Sequence, residues 1–208
     1  MNITAGRIFI EQNGHIESGN LQLWEHELTG DTTLELKITE AAFVIIIPIT
    51  GDLFYQLGSA VGAEINVAEV KVLAMPSNSQ IRVLNPYLTD MVSFLEIRLK
   101  DPFILDSFSY DTASFDFDAR QNLLTNVFYQ HKSQDYPIDL SIGRFAGRTE
   151  VIHTMKANKY IFFAFVIAGA FEVAGRLLQP NDGLSLWNER TIEIEALSND
   201  AILLLIAY

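Results

Sequence analysis

The chain has no cysteine. That removes disulfides, thiolate metal ligands and a cysteine nucleophile, and it leaves the redox compartment unspecified. Basic residues are scarce: 14 Lys and Arg stand against 26 Asp and Glu, a formal net charge of −12. A surface of that sign repels nucleic-acid phosphates and anionic membranes unless basic residues cluster locally. No Lys/Arg run exists; Arg144, Arg148, Lys156 and Lys159 are spread among apolar residues and read as a solvated strand face. Direct nucleic-acid binding and membrane binding are therefore not expected. Long apolar runs are also missing. The longest, Ile161 to Phe171, is ended by Glu172 and falls short of the roughly 20 residues that span a bilayer. The first residues, MNITAGRIFIEQNG, lack a basic stretch followed by a long apolar core, so no signal peptide is read and a cytoplasmic location is the default.

What is present suits a packed core. Apolar residues make up 49% of the 208 positions and charged residues 19%, the reverse of the balance that keeps a chain disordered. The dominant pattern is period two. Leu34 to Ile38, Val70 to Val72, Ile81 to Val83, Phe94 to Lys100 and Ile192 to Glu195 alternate apolar and polar residues, as half-buried strands do. Phe43 to Ile47 and Ala201 to Ile206 are apolar throughout and read as strands covered on both faces. Turn residues interrupt these runs at Asn13-Gly14, Gly30-Asp31, Asn181-Asp182-Gly183 and Ser198-Asn199-Asp200. Many short strands between frequent turns predict an all-β sandwich or barrel with few short helices. Arg120 to Gln130 fits either a short helix or an extended crossing.

Two stretches look alike. Ile45 to Tyr55, with Ile65 to Val70 and Val92 to Ile97, matches Ala164 to Val173, with Leu177 to Gly183 and Ala201 to Ile206. Each copy runs strand, glycine turn, strand, turn, strand, strand, and Gly51 and Gly169 take the same place. A duplicated small domain follows. The Asp-, Ser- and Phe-rich segment between the copies reads as a pinned connection rather than a free linker. The expected division is residues 1–105 and 106–208, with 106–137 forming the connection.

Gly169-x-Phe171-x-Val173-x-Gly175-x-x-Leu178-x-Pro180-x-Asp182-Gly183, together with Asn122 to Gln130 and Asp139 to Phe145, resembles the C-terminal cupin of the pirin-like bicupin family, which includes quercetin 2,3-dioxygenases. The resemblance covers residues 110–208, and residues 1–100 match as a degenerate cupin through strand order and Gly51. It implies two tandem RmlC-like jelly-roll barrels. Catalytic cupins hold a metal ion with three His and one Glu, and the resemblance places those ligands on inward-facing strand positions. In the first copy they fall near Lys37 and Thr39, or Ile38 and Glu40, with the Glu near Val44; in the second, near Met155 and Ala157, with the Glu near Phe162 and a last His near Ser185 or Trp187. Every expected ligand is replaced, so no metal site and no metal cofactor are expected. The four histidines are His15, His26, His131 and His153, none two residues from another. His15 reads as a turn residue and His131 as a loop residue. His26 reads as an exposed strand histidine or a pocket group, and His153 as a surface residue or one facing the second barrel's mouth. Asp116 and Asp118 read as solvated, and no catalytic residue is assigned.

Three roles stay open. The first is a non-catalytic small-molecule-binding or protein-interaction and regulatory protein. Its first barrel would be lined by Lys37, Thr39, Tyr55 and Met75 and its second by Met155, Phe162, Ser185 and Trp187; Lys37, Thr39, Tyr55, Met75 and Trp187 are the ligand candidates. The second is a metal-dependent dioxygenase of the quercetin 2,3-dioxygenase type. The third is assembly into a homodimer through an apolar edge strand at Ala201 to Tyr208.

Overall fold

A computed structural model describes residues 4–8, 15–106, 108–109, 112–128, 136, 138–156 and 159–208, with the backbone alone at 4–8, 15–17 and 108–109. Every regular element among them is a strand. In chain order these are β1 (Thr4–Ile8), β2 (His15–Ser18), β3 (Leu21–Leu28), β4 (Thr33–Ile38), β5 (Ala42–Thr50), β6 (Leu53–Leu57), β7 (Ala63–Ile65), β8 (Glu69–Met75), β9 (Ser79–Leu84), β10 (Val92–Lys100), β11 (Phe108–Ser109), β12 (Ala113–Ser114), β13 (Thr125–Asn126), β14 (Asp139–Phe145), β15 (Glu150–Thr154), β16 (Ile161–Ala168), β17 (Phe171–Val173), β18 (Arg176–Leu178), β19 (Gly183–Trp187), β20 (Thr191–Ala196) and β21 (Ala201–Ala207). No helix among the described residues is long and apolar enough to cross a membrane.

The chain divides into two units, Gly19–Ser114 and Met1–Ser18 with Phe115–Tyr208. In the first, the larger sheet runs β11–β8–β5–β10–β3, with β12 also on β8, and the smaller runs β4–β9–β6–β7. In the second, the orders are β1–β19–β16–β21–β14–β13 and β15–β20–β17–β18. Strand for strand, β3 to β10 correspond to β14 to β21. This is the duplicated jelly roll, a bicupin, that the repeat predicts.

Each unit closes over its own apolar interior. Leu36 and Ile38 of β4, Val44 and Ile46 of β5, Leu53 and Tyr55 of β6, and Ile81 and Val83 of β9 meet in one. Met155, Phe162 and Ala164, Phe171, Leu184 and Leu186, and Leu203 and Leu205 meet in the other. Strands β5 and β21 are buried on both faces, which is why they carry apolar runs instead of alternation.

The turns follow their chemistry. Gly51 and Gly169 leave β5 and β16 with φ of +73° and +74°. The hairpin between β17 and β18 turns on Ala174 and Gly175, both at positive φ, as a two-residue type I′ turn requires.

Several expectations differ from the structure. Residues 1–18 group with the C-terminal barrel, not with 19–105, because β1 pairs antiparallel with β19 from Thr4↔Trp187 to Ile8↔Gly183. The first unit reaches Ser114, because β12 pairs with β8. Arg120 to Leu124 form turns leading into β13 rather than a helix; residues 129 and 130 lie outside the described set. Strand β21 lies between β16 and β14, so Ala201 to Tyr208 is no edge, and the apolar run covers a central strand.

A Cβ added at Gly169 would meet Ser198 Oγ at 2.4 Å and Ala201 Cβ at 2.7 Å, whereas one at Gly175 meets nothing within 4 Å. Both positions have the left-handed backbone that costs an L-residue about 1–2 kcal/mol; only Gly169 adds overpacking, about 1–3 kcal/mol more. Gly175→Ala should lose about 1 kcal/mol and Gly169→Ala about 3 kcal/mol, measured by urea denaturation.

Candidate functional site

Charge enters the interior of the N-terminal barrel. On β10, Val92 and Phe94 point into the apolar interior, and alternation sends Glu96 and Arg98 the same way. Their neighbours across the ladders confirm the side: Glu96 faces Ile46 of β5 and Trp24 of β3, and Arg98 faces Val44 and Gln22. Lys71 of β8 stands on the far side of Ile46. One row across the sheet therefore reads Trp24, Glu96, Ile46, Lys71. Glu96 is 1% exposed, and both carboxylate oxygens are held. Arg98 Nε donates to Oε1 at 2.5 Å and His26 Nε2 donates to Oε2 at 2.8 Å. Arg98 also donates to the Lys37 carbonyl at 2.9 Å and lies over the Trp24 ring at 4.6 Å, while His26 stacks on Phe94 at 4.8 Å. Lys71 Nζ donates to Thr112 Oγ1 at 3.1 Å. A buried carboxylate pinned from two sides is a fastening rather than a free reactive group.

The C-terminal barrel puts its polar groups elsewhere. Counting back from the two turn glycines, Ile46 corresponds to Ala164, whose ladder partners are Leu205 and Leu184 where the first barrel has Glu96 and Lys71. The middle of this barrel is apolar. At one end β14 begins with Asp139 and Ser141, on the inward side shared with Phe145, and β15 brings His153 on the side of Met155. With Asn126 of β13 and Lys156 they surround a cavity of about 170 Å³. Lys156 Nζ and, at 3.4 Å, Asn126 Nδ2 donate to Asp139 Oδ1. Asp139 Oδ2 is buried and has no hydrogen-bond partner among the described residues. An unsatisfied buried acceptor costs about 1–3 kcal/mol, and more when charged. The His153 ring meets Phe162 edge to face at 5.7 Å. Burial lowers its pKa from the ordinary value, partly opposed by the negative charge of Asp139.

A wider hollow of about 270 Å³ lies among Glu150, Glu172, Glu193 and Glu195 on the C-terminal unit's smaller sheet. Glu150, Glu172 and Glu193 are exposed, and Arg148 reaches Glu195 at 3.2 Å. That arrangement suits solvation.

The residues proposed from sequence are scattered. Tyr55 and Met75 face the first interior. Lys37 and Thr39 do not: Leu36 and Ile38 take the inward positions, and Lys37 and Thr39 are exposed. Met155 and Phe162 face the second interior, but Leu184 and Leu186 take that side of β19, leaving Ser185 and Trp187 on the other. Ser185 instead donates to Ser18 Oγ at 2.6 Å. Both errors are slips of one residue, which on a strand exchange one face for the other. His26 is neither exposed nor at a pocket: it is partly buried, held by Glu96 and Phe94, whereas His153 borders the cavity at the barrel mouth. His15 begins β2 rather than occupying a turn, and His131 lies outside the described residues. Asp116 Oδ1 accepts from the Asp118 and Ala119 amides, and Asp118 pairs with Arg144. Sequence reasoning passed over Glu96, Arg98 and Asp139. The signal for the first two was the matching polar residues Trp24 and His26 on the strand paired with β10.

Comparison with known proteins agrees with this architecture. Residues 134–206 match the sequence profile of the quercetinase C-terminal cupin domain. Over that stretch the chain resembles a quercetinase-type cupin. The fold of the whole chain resembles that of the bacterial pirin YhhW from Escherichia coli, solved in complex with nickel(II), at 17% identity and TM-score 0.70 over 98% of each chain. It also resembles YhaK from Escherichia coli, at 11% identity and TM-score 0.75 over 99% of this chain and 92% of that one. Quercetin 2,3-dioxygenase from Acinetobacter baumannii has a similar fold, at 9% identity and TM-score 0.65 over 99% and 79%. At these identities the likeness concerns the fold. No curated protein sequence matches the chain.

In the C-terminal barrel the positions expected to hold ligands carry Met155 and Phe162, both buried and apolar. In the other barrel the inward side of β4 carries Leu36 and Ile38, and β5 carries Val44. Among the described residues no three of His, Asp and Glu gather closely enough to hold a metal ion. Glu96 and His26 do meet, but a guanidinium beside the carboxylate repels a divalent cation. The residues present do not fit the metal of the catalytic cupins.

Two predictions follow from these sites. Glu96→Gln leaves Arg98 without its counter-charge and should cost about 3 kcal/mol, while Glu96→Leu with Arg98→Met should recover most of that loss, both read from urea denaturation. His153 is held neutral, so its unfolded form binds a proton more readily. Its contribution is complete above the unfolded pKa of 6.5 and is lost as pH falls through that value toward the lower folded one. His153→Gln should therefore flatten the dependence of stability on pH below 6.5, checked by denaturation at pH 7.5 and 5.5.

Proposed function

We propose that the protein is a non-catalytic bicupin that binds a small molecule at the mouth of its C-terminal barrel and uses no metal ion. The observation that carries this reading is the convergence of Asp139, Ser141, Asn126 and His153 on one cavity, above a barrel interior otherwise filled by apolar side chains. A concave site with a few directed polar groups over an apolar floor is the usual form of a small-molecule site. The cavity is below the roughly 300–1,000 Å³ usual for drug-sized ligands, so the ligand is small. A cytoplasmic location and a monomer or homodimer are both compatible with such a role.

A second reading is a dioxygenase of the quercetin 2,3-dioxygenase type, favoured by the match of residues 134–206 to the quercetinase domain. It requires a redox metal, and the side chains at the ligand positions are against it. A cavity of about 170 Å³ is also too small for a three-ring flavonol.

Elemental analysis of freshly purified protein, with oxygen uptake measured in the presence of quercetin, separates the two. The binding reading expects iron, copper, nickel and manganese far below one ion per chain and no uptake. Stoichiometric metal with quercetin-dependent uptake would establish the dioxygenase instead.

A further inference from the structure

The outer faces of the two smaller sheets differ in charge. Phe54 and Glu172 each stand three residues beyond their turn glycine, so they take the same place. The ladders carry that equivalence across each sheet. Phe54 faces Leu84, which faces Thr33. Glu172 faces Glu195, which faces Glu150. One barrel builds this row without charge, and the other places a carboxylate on each of three adjacent strands. In the next row Arg82 lies between Glu35 and Gln56, whereas Glu193 lies between Ile152 and Ala174.

The jelly roll does not require these carboxylates, since its other copy forms the same row without them. Nor do they help it: neighbouring strands lie about 4.8 Å apart, and like charges directly opposite one another destabilise a sheet. Arg148 meets Glu195 at 3.2 Å. Glu150, Glu172 and Glu193 are exposed and have no ion pair among the described residues. Water solvates them in the free chain, and cations brought from outside would complement them.

Two observations narrow the source of those cations. Among the described residues no three acidic groups gather closely enough to hold a metal ion, so the charge is met by cations spread over several strands. The carboxylates are also flanked by apolar surface. Leu177, which faces Glu172, is 51% exposed, and Ile152, on the same side of β15 as Glu150, is 72% exposed. A free polyamine has no apolar side chains to cover them, whereas a protein segment does. A second copy of this chain, with a net charge of −12, is repelled.

We infer that this sheet face is a docking surface for a basic segment of another protein. Lys or Arg side chains of the segment meet Glu150, Glu172 and Glu193, and its apolar side chains cover Ile152 and Leu177. Four strands span about 14 Å, the length of about four residues of extended chain. A contact of that size is weak and steered by charge.

The probe is a synthetic peptide, Leu-Ser-Lys-Ser-Lys-Ser-Leu, with both ends blocked. When extended it presents its Lys and Leu side chains on one side. It is titrated into the full-length ¹⁵N-labelled protein. The amide signals of Glu172, Leu177 and Glu193 should shift saturably at low salt and return toward their free positions at about 0.3 M salt. The same peptide with Glu in place of Lys should not bind. A triple variant, Glu150→Gln with Glu172→Gln and Glu193→Gln, should bind the basic peptide at least 10-fold more weakly and unfold at a temperature no lower than the wild type. Ile152→Ser should weaken the peptide about fivefold and leave spermine binding unchanged. Undiminished binding by the triple variant, or no shift at low salt, would overturn the docking surface. A triple variant that unfolds at a lower temperature would give the carboxylates a structural role and overturn it as well. Spermine binding as tightly as the peptide, with Ile152→Ser affecting neither, would assign the face to free polyamines and overturn the protein partner.

Discussion

Every inward-facing side chain of a closed pair of sheets is surrounded by the side chains level with it on neighbouring strands. A charge placed there must find its counter-charge within that row or the next, because water is not available to solvate it. The row Trp24, Glu96, Ile46, Lys71 of the N-terminal barrel meets this demand: Arg98 and His26 take both oxygens of Glu96, and the indole of Trp24 covers the guanidinium. The equivalent row of the C-terminal barrel, Ser141, Leu205, Ala164, Leu184, removes the demand by carrying no charge. The two copies share a strand order and solve the same packing problem in opposite ways.

That difference decides where each barrel can interact with anything else. Glu96 has no oxygen to spare, and Arg98 is divided between it and the Lys37 carbonyl. Opening such a network to a ligand would break more hydrogen bonds than the ligand could replace. In the C-terminal barrel the apolar filling stops below Asp139 and His153. Phe162 and Met155 close the interior beneath His153, and that closure desolvates the imidazole. The polar groups gather where packed side chains border open space.

The sequence carried the architecture because the architecture is local and repeated. Turn glycines at 51 and 169, the Ala174-Gly175 hairpin and the apolar runs of β5 and β21 fix the strands and their order. The domain boundary was hidden because the pairing of β1 with β19 joins residues at opposite ends of the chain, and no local pattern records it. The interior residues were harder still. Alternation tells which residues share a face and leaves open which face is inside. Lys37 was assigned inward and is outward, while Glu96 reads as a solvent residue and is buried. Strand β10 misleads because both its faces are covered, so polar alternation there marks an internal network rather than water.

The same reasoning explains why Asp139 escaped notice although it matters most to the site. At the first position of β14 it reads as an ordinary turn-proximal aspartate. Its meaning comes from three elements that converge on it: β13 supplies Asn126, the residues after β15 supply Lys156, and β15 itself supplies His153. Asn126 and Lys156 both satisfy Oδ1, and none of the three satisfies Oδ2. Both donors therefore lie on one side of the carboxylate, and the second oxygen is packed out of reach of water.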